Sequence, residues 1–232
     1  MNALALLVAY ALVAAINVVG EFIGSDLAAD ATKPLLMPLL MAWLVVTVRA
    51  AGGFDIALRW LAVGLAFAWF GDLLLMGSGD AYFMAGIAAF LVMQVCYLLA
   101  MTSIPGPGLV RAWKITLIPY LLIWIGINLL VSAGVGALRI PVLVYSAVAL
   151  AMAVAALDLV LRVPRPLGWR VAWGALVFVV SDALIAMTAF GPLSESGLTS
   201  ALIMATYTVA QAMIVTGVAR CVLAGRAAAV RR

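Results

Sequence analysis

The chain has 232 residues, of which 68% are hydrophobic and 9% charged, with a mean hydropathy of +1.28 and a formal net charge of +4. Soluble domains are roughly 45–50% apolar and about 25% charged, so the composition excludes a soluble globular protein and predicts a polytopic membrane protein. The basic residues cluster at loop ends, which in such a chain means orientation and contact with membrane lipid, not nucleic-acid binding.

At roughly 20 apolar residues per spanning helix, hydropathy and breaker residues predict spans near 3–20, 34–51, 58–77, 82–101, 114–132, 140–161, 169–189 and 198–219. The expected fold is all-α, a bundle of eight transmembrane helices in a single domain. The first stretch, Met1 to Gly20, lacks a basic leader and reads as a span, not as a cleaved signal peptide. Tyr10 within it, like Tyr82, reads as an interfacial anchor. Lys33-Pro34 opens the second span, and Gly52-Gly53, Gly77-Ser78-Gly79, Pro105-Gly106-Pro107-Gly108, Pro164-Arg165-Pro166 and Gly191-Pro192 fall between spans. Cys96 and Cys221 have no metal-like spacing and read as packing residues. Asp158 stands four residues before Arg162, an ion-pair spacing on a helix.

Eight spans put both termini on one face. Arg49, Arg59, Arg111, Lys114, Arg162, Arg165, Arg170, Arg220, Arg226, Arg231 and Arg232 share that face, against Lys33 and Arg139 on the other. By the positive-inside rule the termini are expected to be cytoplasmic, in the cell membrane.

The third and seventh spans each carry one carboxylate in an apolar run, Phe70-Gly71-Asp72-Leu73-Leu74-Leu75-Met76 and Val180-Ser181-Asp182-Ala183-Leu184. An ionised Asp deep in hydrocarbon costs at least ~2.5–3.5 kcal/mol on insertion scales, which makes it a functional-site hypothesis by default. Both runs lead outward, placing Asp72 roughly 8 Å and Asp182 roughly 10 Å below the outer ends of their helices. Asn17, Glu21, Lys33, Asn128, Tyr145, Tyr207 and Gln211 are drawn to the same outer half, with Gln94 and Tyr97 as a floor. A weak repeat supports a four-plus-four parallel duplication: Gly64 and Gly174 each precede their Asp by eight residues, Gly71 and Ser181 by one.

The chain has no histidine, so acid–base chemistry falls to carboxylates with Tyr and Lys in support, and no metal or other cofactor is expected. Two carboxyls in one low-dielectric cavity do not both ionise easily, an arrangement that yields one acid and one base. The same pair could instead serve a proton-coupled transporter or an intramembrane aspartyl protease. Against transport, the polar cluster stays in one leaflet and no clear pair of Gly/Pro-broken helices meets at the midplane.

Lys33-Pro34-Leu35, the run from Phe70 to Met76, Phe90-xxx-Gln94-xx-Tyr97, Tyr145 with Met152, Gly174-Ala175-xx-Phe178-xx-Ser181-Asp182-x-Leu184-x-Ala186 and Tyr207-xxx-Gln211 together resemble the YhhN family, the lysoplasmalogenases. Gln94 stands where the resemblance leads one to expect His. The resemblance implies hydrolysis of the vinyl-ether bond of a lysophospholipid, giving a fatty aldehyde and glycerophosphoethanolamine or glycerophosphocholine. It would make Asp72 and Asp182 the catalytic pair, with Glu21 and Tyr207 in support and Lys33 meeting the substrate phosphate.

Overall fold

A computed structural model describes residues 2–230. Among these residues there are nine α-helices and three short 3₁₀ segments, with no strand. The helices are α1 (Ala3–Ile23), α2 (Asp26–Ala50), α3 (Ile56–Leu74), α4 (Asp80–Thr102), the single turn α5 (Leu109–Ala112), α6 (Leu117–Val131), α7 (Arg139–Asp158), α8 (Arg165–Phe190) and α9 (Gly197–Val230). Eight helical stretches are long and apolar enough to cross a membrane, α6 reaching that length with the 3₁₀ turn Lys114–Thr116 before it. This is the expected eight-span bundle of an integral membrane protein. Large apolar side chains such as Leu12, Ile16, Leu27, Leu122 and Ile140 lie exposed on its outside, where lipid rather than water is their solvent.

Local chemistry accounts for several helix ends. The Asn2 carboxamide accepts from Ala5 N–H at 2.8 Å and caps α1, and Asp55 does the same for Leu58 N–H at 2.9 Å on α3. Gly24 closes α1 in the left-handed region (φ 68°), where a residue without Cβ carries no penalty.

The second span begins earlier than the sequence suggests. α2 starts at Asp26, so Lys33-Pro34 lies inside the helix and does not open it, and Pro38 follows one turn on. Pro38 has no N–H to offer the carbonyl of Pro34, a loss that would go unpaired in lipid. The Trp69 indole of α3 donates to that carbonyl at 2.9 Å and repairs it. The last helix, in turn, runs eleven residues past its predicted end to Val230. Arg226 on this extension pairs with Asp55 at 3.1 Å and donates to the carbonyls of Ala51 (3.2 Å) and Gly53 (2.8 Å). The end of α9 is therefore pinned to the connection between the second and third spans, the same face as eight alternating spans require. Arg231 and Arg232 lie outside the described residues.

Asp158 and Arg162 are ion-paired as their spacing predicts. The pair also organises the connection before α5, because Asp158 accepts from Val110 N–H at 2.8 Å and Arg162 donates to the Ile104 carbonyl at 3.1 Å. Tyr10 departs from its reading as an interfacial anchor. It is buried between α1 and α9 and its hydroxyl donates to the Thr208 carbonyl at 2.7 Å. Sequence does not tell an anchoring tyrosine from a buried one; here the partner is 198 residues away. Tyr82 is exposed as expected, and both cysteines are free and buried.

Helices adjacent in sequence pack on one another in both halves of the chain. α1 packs on α2, α2 on α3 and α3 on α4; in the second half α6 packs on α7, α7 on α8 and α8 on α9. The halves also interlock, α4 against α7 and α9 against α2. The paired glycines sit at close contacts: a Cβ at Gly64 would lie 2.6 Å from the Tyr97 ring, and one at Gly174 would lie 2.8 Å from Cβ of Met213. Small residues at such crossings are how helices associate in lipid, where no hydrophobic drive distinguishes partner from solvent. The first helices of the two halves differ. α1 closes against α9, whereas α6 buries only Val131 of its 15 residues.

Candidate active site

The space left beside α6 is a cavity of about 90 Å³, lined by α4, α6, α7 and α8. Several waters or a slim chain fit such a volume, since a single water needs roughly 10–15 Å³ by the same measure. Its walls are almost wholly apolar, from Phe83, Met84 and Ile87 through Ile123 and Ile127 to Val179 and Ile185. The rings of Phe83 and Phe190 meet edge to face at 6.1 Å near its end at the non-terminal face of the bundle.

Asp182 is the carboxylate on this wall among the described residues. It comes from α8, three residues before Ile185 and four before Ala186, so it shares their helix face. Gln94 Nε2 donates to Asp182 Oδ2 at 3.0 Å and the Tyr145 hydroxyl donates to the same oxygen at 3.1 Å. Both donors converge on Oδ2, and Oδ1 accepts no hydrogen bond among the described residues. Gln94 is fully buried, and its Oε1 has no partner. Tyr145 and Asn128 also line the cavity, as does Ser146, whose hydroxyl accepts from the Trp124 indole at 2.9 Å and from Asn128 at 3.3 Å. Trp124 and Ser146 were not legible as site residues: a lone Ser among alanines on a span carries no signal, and Trp124 reads as a belt residue.

Asp72 lies elsewhere. It is 2% exposed, does not line the cavity, and accepts from the Tyr207 hydroxyl at 3.0 Å. Lys33 on α2 is half-buried and does not line the cavity either. Phe90 stands between the two acids, lining the cavity on one side while its ring meets Tyr207 edge to face at 5.8 Å on the other. The same ring fills the space over Gly71, where a Cβ would lie 2.8 Å from it. Phe178 adds a second ring against Tyr207 at 6.3 Å.

The expectation that one cavity gathers both carboxylates and their whole polar ring is thus corrected. Of the residues named from sequence, Asp182, Tyr145 and Asn128 line the cavity and Gln94 touches it through Asp182. Tyr207 and Asp72 form a second group, and Lys33 lines no part of the cavity. Tyr97 and Gln211 hydrogen-bond each other at 2.7 Å and are both fully buried. Asn17 ties α1 to α2 through Ala29 O and Thr32 Oγ1, each at 3.0 Å, and Glu21 sits where α1 meets Gly197 at the head of α9. Nor do the acids share a depth measured from their helix ends. α3 stops at Leu74, only two residues or about 3 Å beyond Asp72, because Met76 and Gly77 bond three residues back and tighten the turn. α8 continues eight residues or about 12 Å beyond Asp182.

The two groups still mirror each other. An aromatic residue, three others and a glutamine recur as Phe90 to Gln94 on α4 and as Tyr207 to Gln211 on α9. Each acid reaches the last helix of the opposite half, Asp72 to Tyr207 and Asp182 to Gln94. An eight-helix integral membrane protein with one carboxyl group open to an apolar cavity and another sealed behind an aromatic wall is the class that fold and site define. The chain belongs to the YhhN family, whose profile matches residues 28–218. Asp72, Asp182 and every residue named with them lie within the match except Asn17 and Glu21. Curated proteins and solved structures give no match.

Proposed function

We propose that the protein is a membrane hydrolase that cleaves the vinyl-ether bond of lysoplasmalogens. Membership of the YhhN family supports a hydrolase of this kind, and the observation that carries the reading is Asp182: one carboxylate oxygen held by Gln94 and Tyr145, the other unheld, at the wall of an apolar cavity. A vinyl ether needs a proton at its β-carbon, water at its α-carbon, and an apolar place for the chain that becomes the aldehyde.

The Asp182 carboxyl delivers its proton to the β-carbon, and the C=C electron pair forms the new C–H bond. The resulting oxocarbenium ion faces the carboxylate, as in glycosidases. Water adds at the α-carbon and gives a proton back to the carboxylate. The hemiacetal then collapses: its hydroxyl proton leaves, the C–O bond to glycerol breaks, and the glycerol oxygen takes a proton. One water is consumed, and a fatty aldehyde and a glycerophospho-alcohol leave. Gln94 and Tyr145 hold the carboxyl toward the substrate throughout. Asp72 supports the site from behind Phe90, where its bond to Tyr207 steadies the aromatic wall. The cavity lies toward the face opposite the termini, so with cytoplasmic termini the lipid enters from the outer leaflet.

Purified protein in detergent is expected to release fatty aldehyde from an alkenyl lysophospholipid and nothing from its acyl-ester counterpart. Turnover in detergent also separates hydrolysis from transport, which needs two compartments. No aldehyde from well-folded protein would sink the reading.

A further inference from the structure

The cavity accounts for the chain and the scissile bond of a lipid but leaves its polar headgroup unplaced. Lys33, the cation the sequence offers for a phosphate, stands on α2 next to Pro34, and neither lines the cavity. The other basic residue of that face is Arg139. It opens α7 between Leu138 and Pro141, both of which line the cavity, and it precedes the lining residue Val142 by three positions, so it shares that helix face. Asp80 starts α4 and precedes the lining residues Phe83 and Met84 by three and four positions. α4 and α7 pack together, and both charged residues are exposed. They are not ion-paired with each other or with any other residue among those described.

We propose that the cavity mouth between Arg139 and Asp80 is the headgroup subsite, in which Arg139 binds the phosphodiester of the lysolipid and Asp80 faces the ammonium group of a zwitterionic headgroup. The spacing fits. Tyr145, which holds Asp182, follows Arg139 by six residues, about 9 Å along α7. From the phosphorus to the alkenyl β-carbon of a lysoplasmalogen there are seven bonds, and an extended chain gains about 1.2 Å per bond, roughly 8 Å in all. A phosphate at Arg139 therefore brings the carbon that must be protonated level with the carboxyl that protonates it. An arginine fork also suits a phosphate's paired oxygens better than a lysine does.

This inference rests on the hydrolase reading, and the experiment separates the two. Wild-type protein, Arg139→Gln, Arg139→Lys and Asp80→Asn are compared on three alkenyl substrates: the phosphoethanolamine lysolipid, the alkenyl glycerophosphate without an amine, and the alkenyl glycerol without phosphate. Arg139→Gln should raise KM roughly 10-fold or more for both phosphate-bearing substrates, the scale of one contact to a charged group. It should leave kcat and the alkenyl glycerol unaffected, and Arg139→Lys should recover part of the loss. Asp80→Asn should raise KM for the phosphoethanolamine substrate alone. If wild type cleaves none of the three, the hydrolase reading falls. If wild type cleaves them and Arg139→Gln changes all three alike or none, the subsite is wrong while the hydrolase stands. Inhibition by millimolar inorganic phosphate without discrimination among the substrates would also overturn it, marking Arg139 as a site for the free anion.

Discussion

Asp72 and Asp182 hold equivalent places in the two halves of the chain, each one residue after a small one and eight after a packing glycine. They live in different worlds. Asp72 is sealed, with Tyr207 on its carboxylate and α1 closed against α9 nearby, whereas Asp182 borders a cavity because α6, the counterpart of α1, stays at the edge of the bundle. The local motif therefore decides that a carboxyl is present, and the packing of one flanking helix decides what can reach it. On our reading Asp182 is the reacting group and Asp72 a supporting one.

The largest effect should come from Asp182→Asn. It preserves volume and much of the hydrogen bonding but carries no exchangeable acid proton, so turnover should fall at least ~10²-fold, the lower end for a general acid–base group, with thermal stability unchanged. Aldehyde release and a melting curve on the same sample check it, and retention of a tenth or more of the activity would end the assignment.

Asp72→Asn should differ in kind. It weakens the buried Tyr207 bond, so turnover should fall about tenfold or more while stability drops by roughly 1–3 kcal/mol, the cost of a disrupted buried polar contact. The contrast breaks down if Asp72→Asn matches Asp182→Asn in rate with no loss of stability, and if the double variant is no worse than either. Groups that act as a unit behave so, and Phe90 would then have to move aside during turnover.

Tyr145→Phe removes one of the two donors on Asp182 Oδ2 and leaves Gln94 in place. A loss of a few-fold to tenfold in kcat with KM kept is expected, about what one hydrogen bond of ~1 kcal/mol carries. A raised KM with kcat unchanged would instead make Tyr145 a binding residue. The smallest effect belongs to Trp69→Phe, which deprives the Pro34 carbonyl of its donor. It should lower stability by about 1 kcal/mol and leave the kinetics of Asp182 alone, because α2 and α3 do not border the cavity.

Much was legible in the sequence. Eight apolar runs separated by Gly and Pro dictate eight helices, since a backbone in lipid must satisfy its own hydrogen bonds. The two Asp residues stood out for the same reason, as carboxyls are costly in hydrocarbon and do not persist there by accident. The spacing of Asp158 and Arg162 declared their bond, because four residues on a helix are neighbours in any tertiary setting. What sequence could not decide was partnership between helices. Spans of Leu, Ala and Val present similar faces all round, so nothing in α6 foretold that it would stand apart and leave a cavity, or in α1 that it would close and bury Tyr10. Gly64 and Gly174 allow close approach without naming the neighbour; the Tyr97 ring and the α9 backbone are known only once the bundle is assembled. Residue types and local periodicity thus determined the elements and the acids, and only tertiary packing, which sums many weak contacts over distant positions, decided which acid is open and which residues surround it.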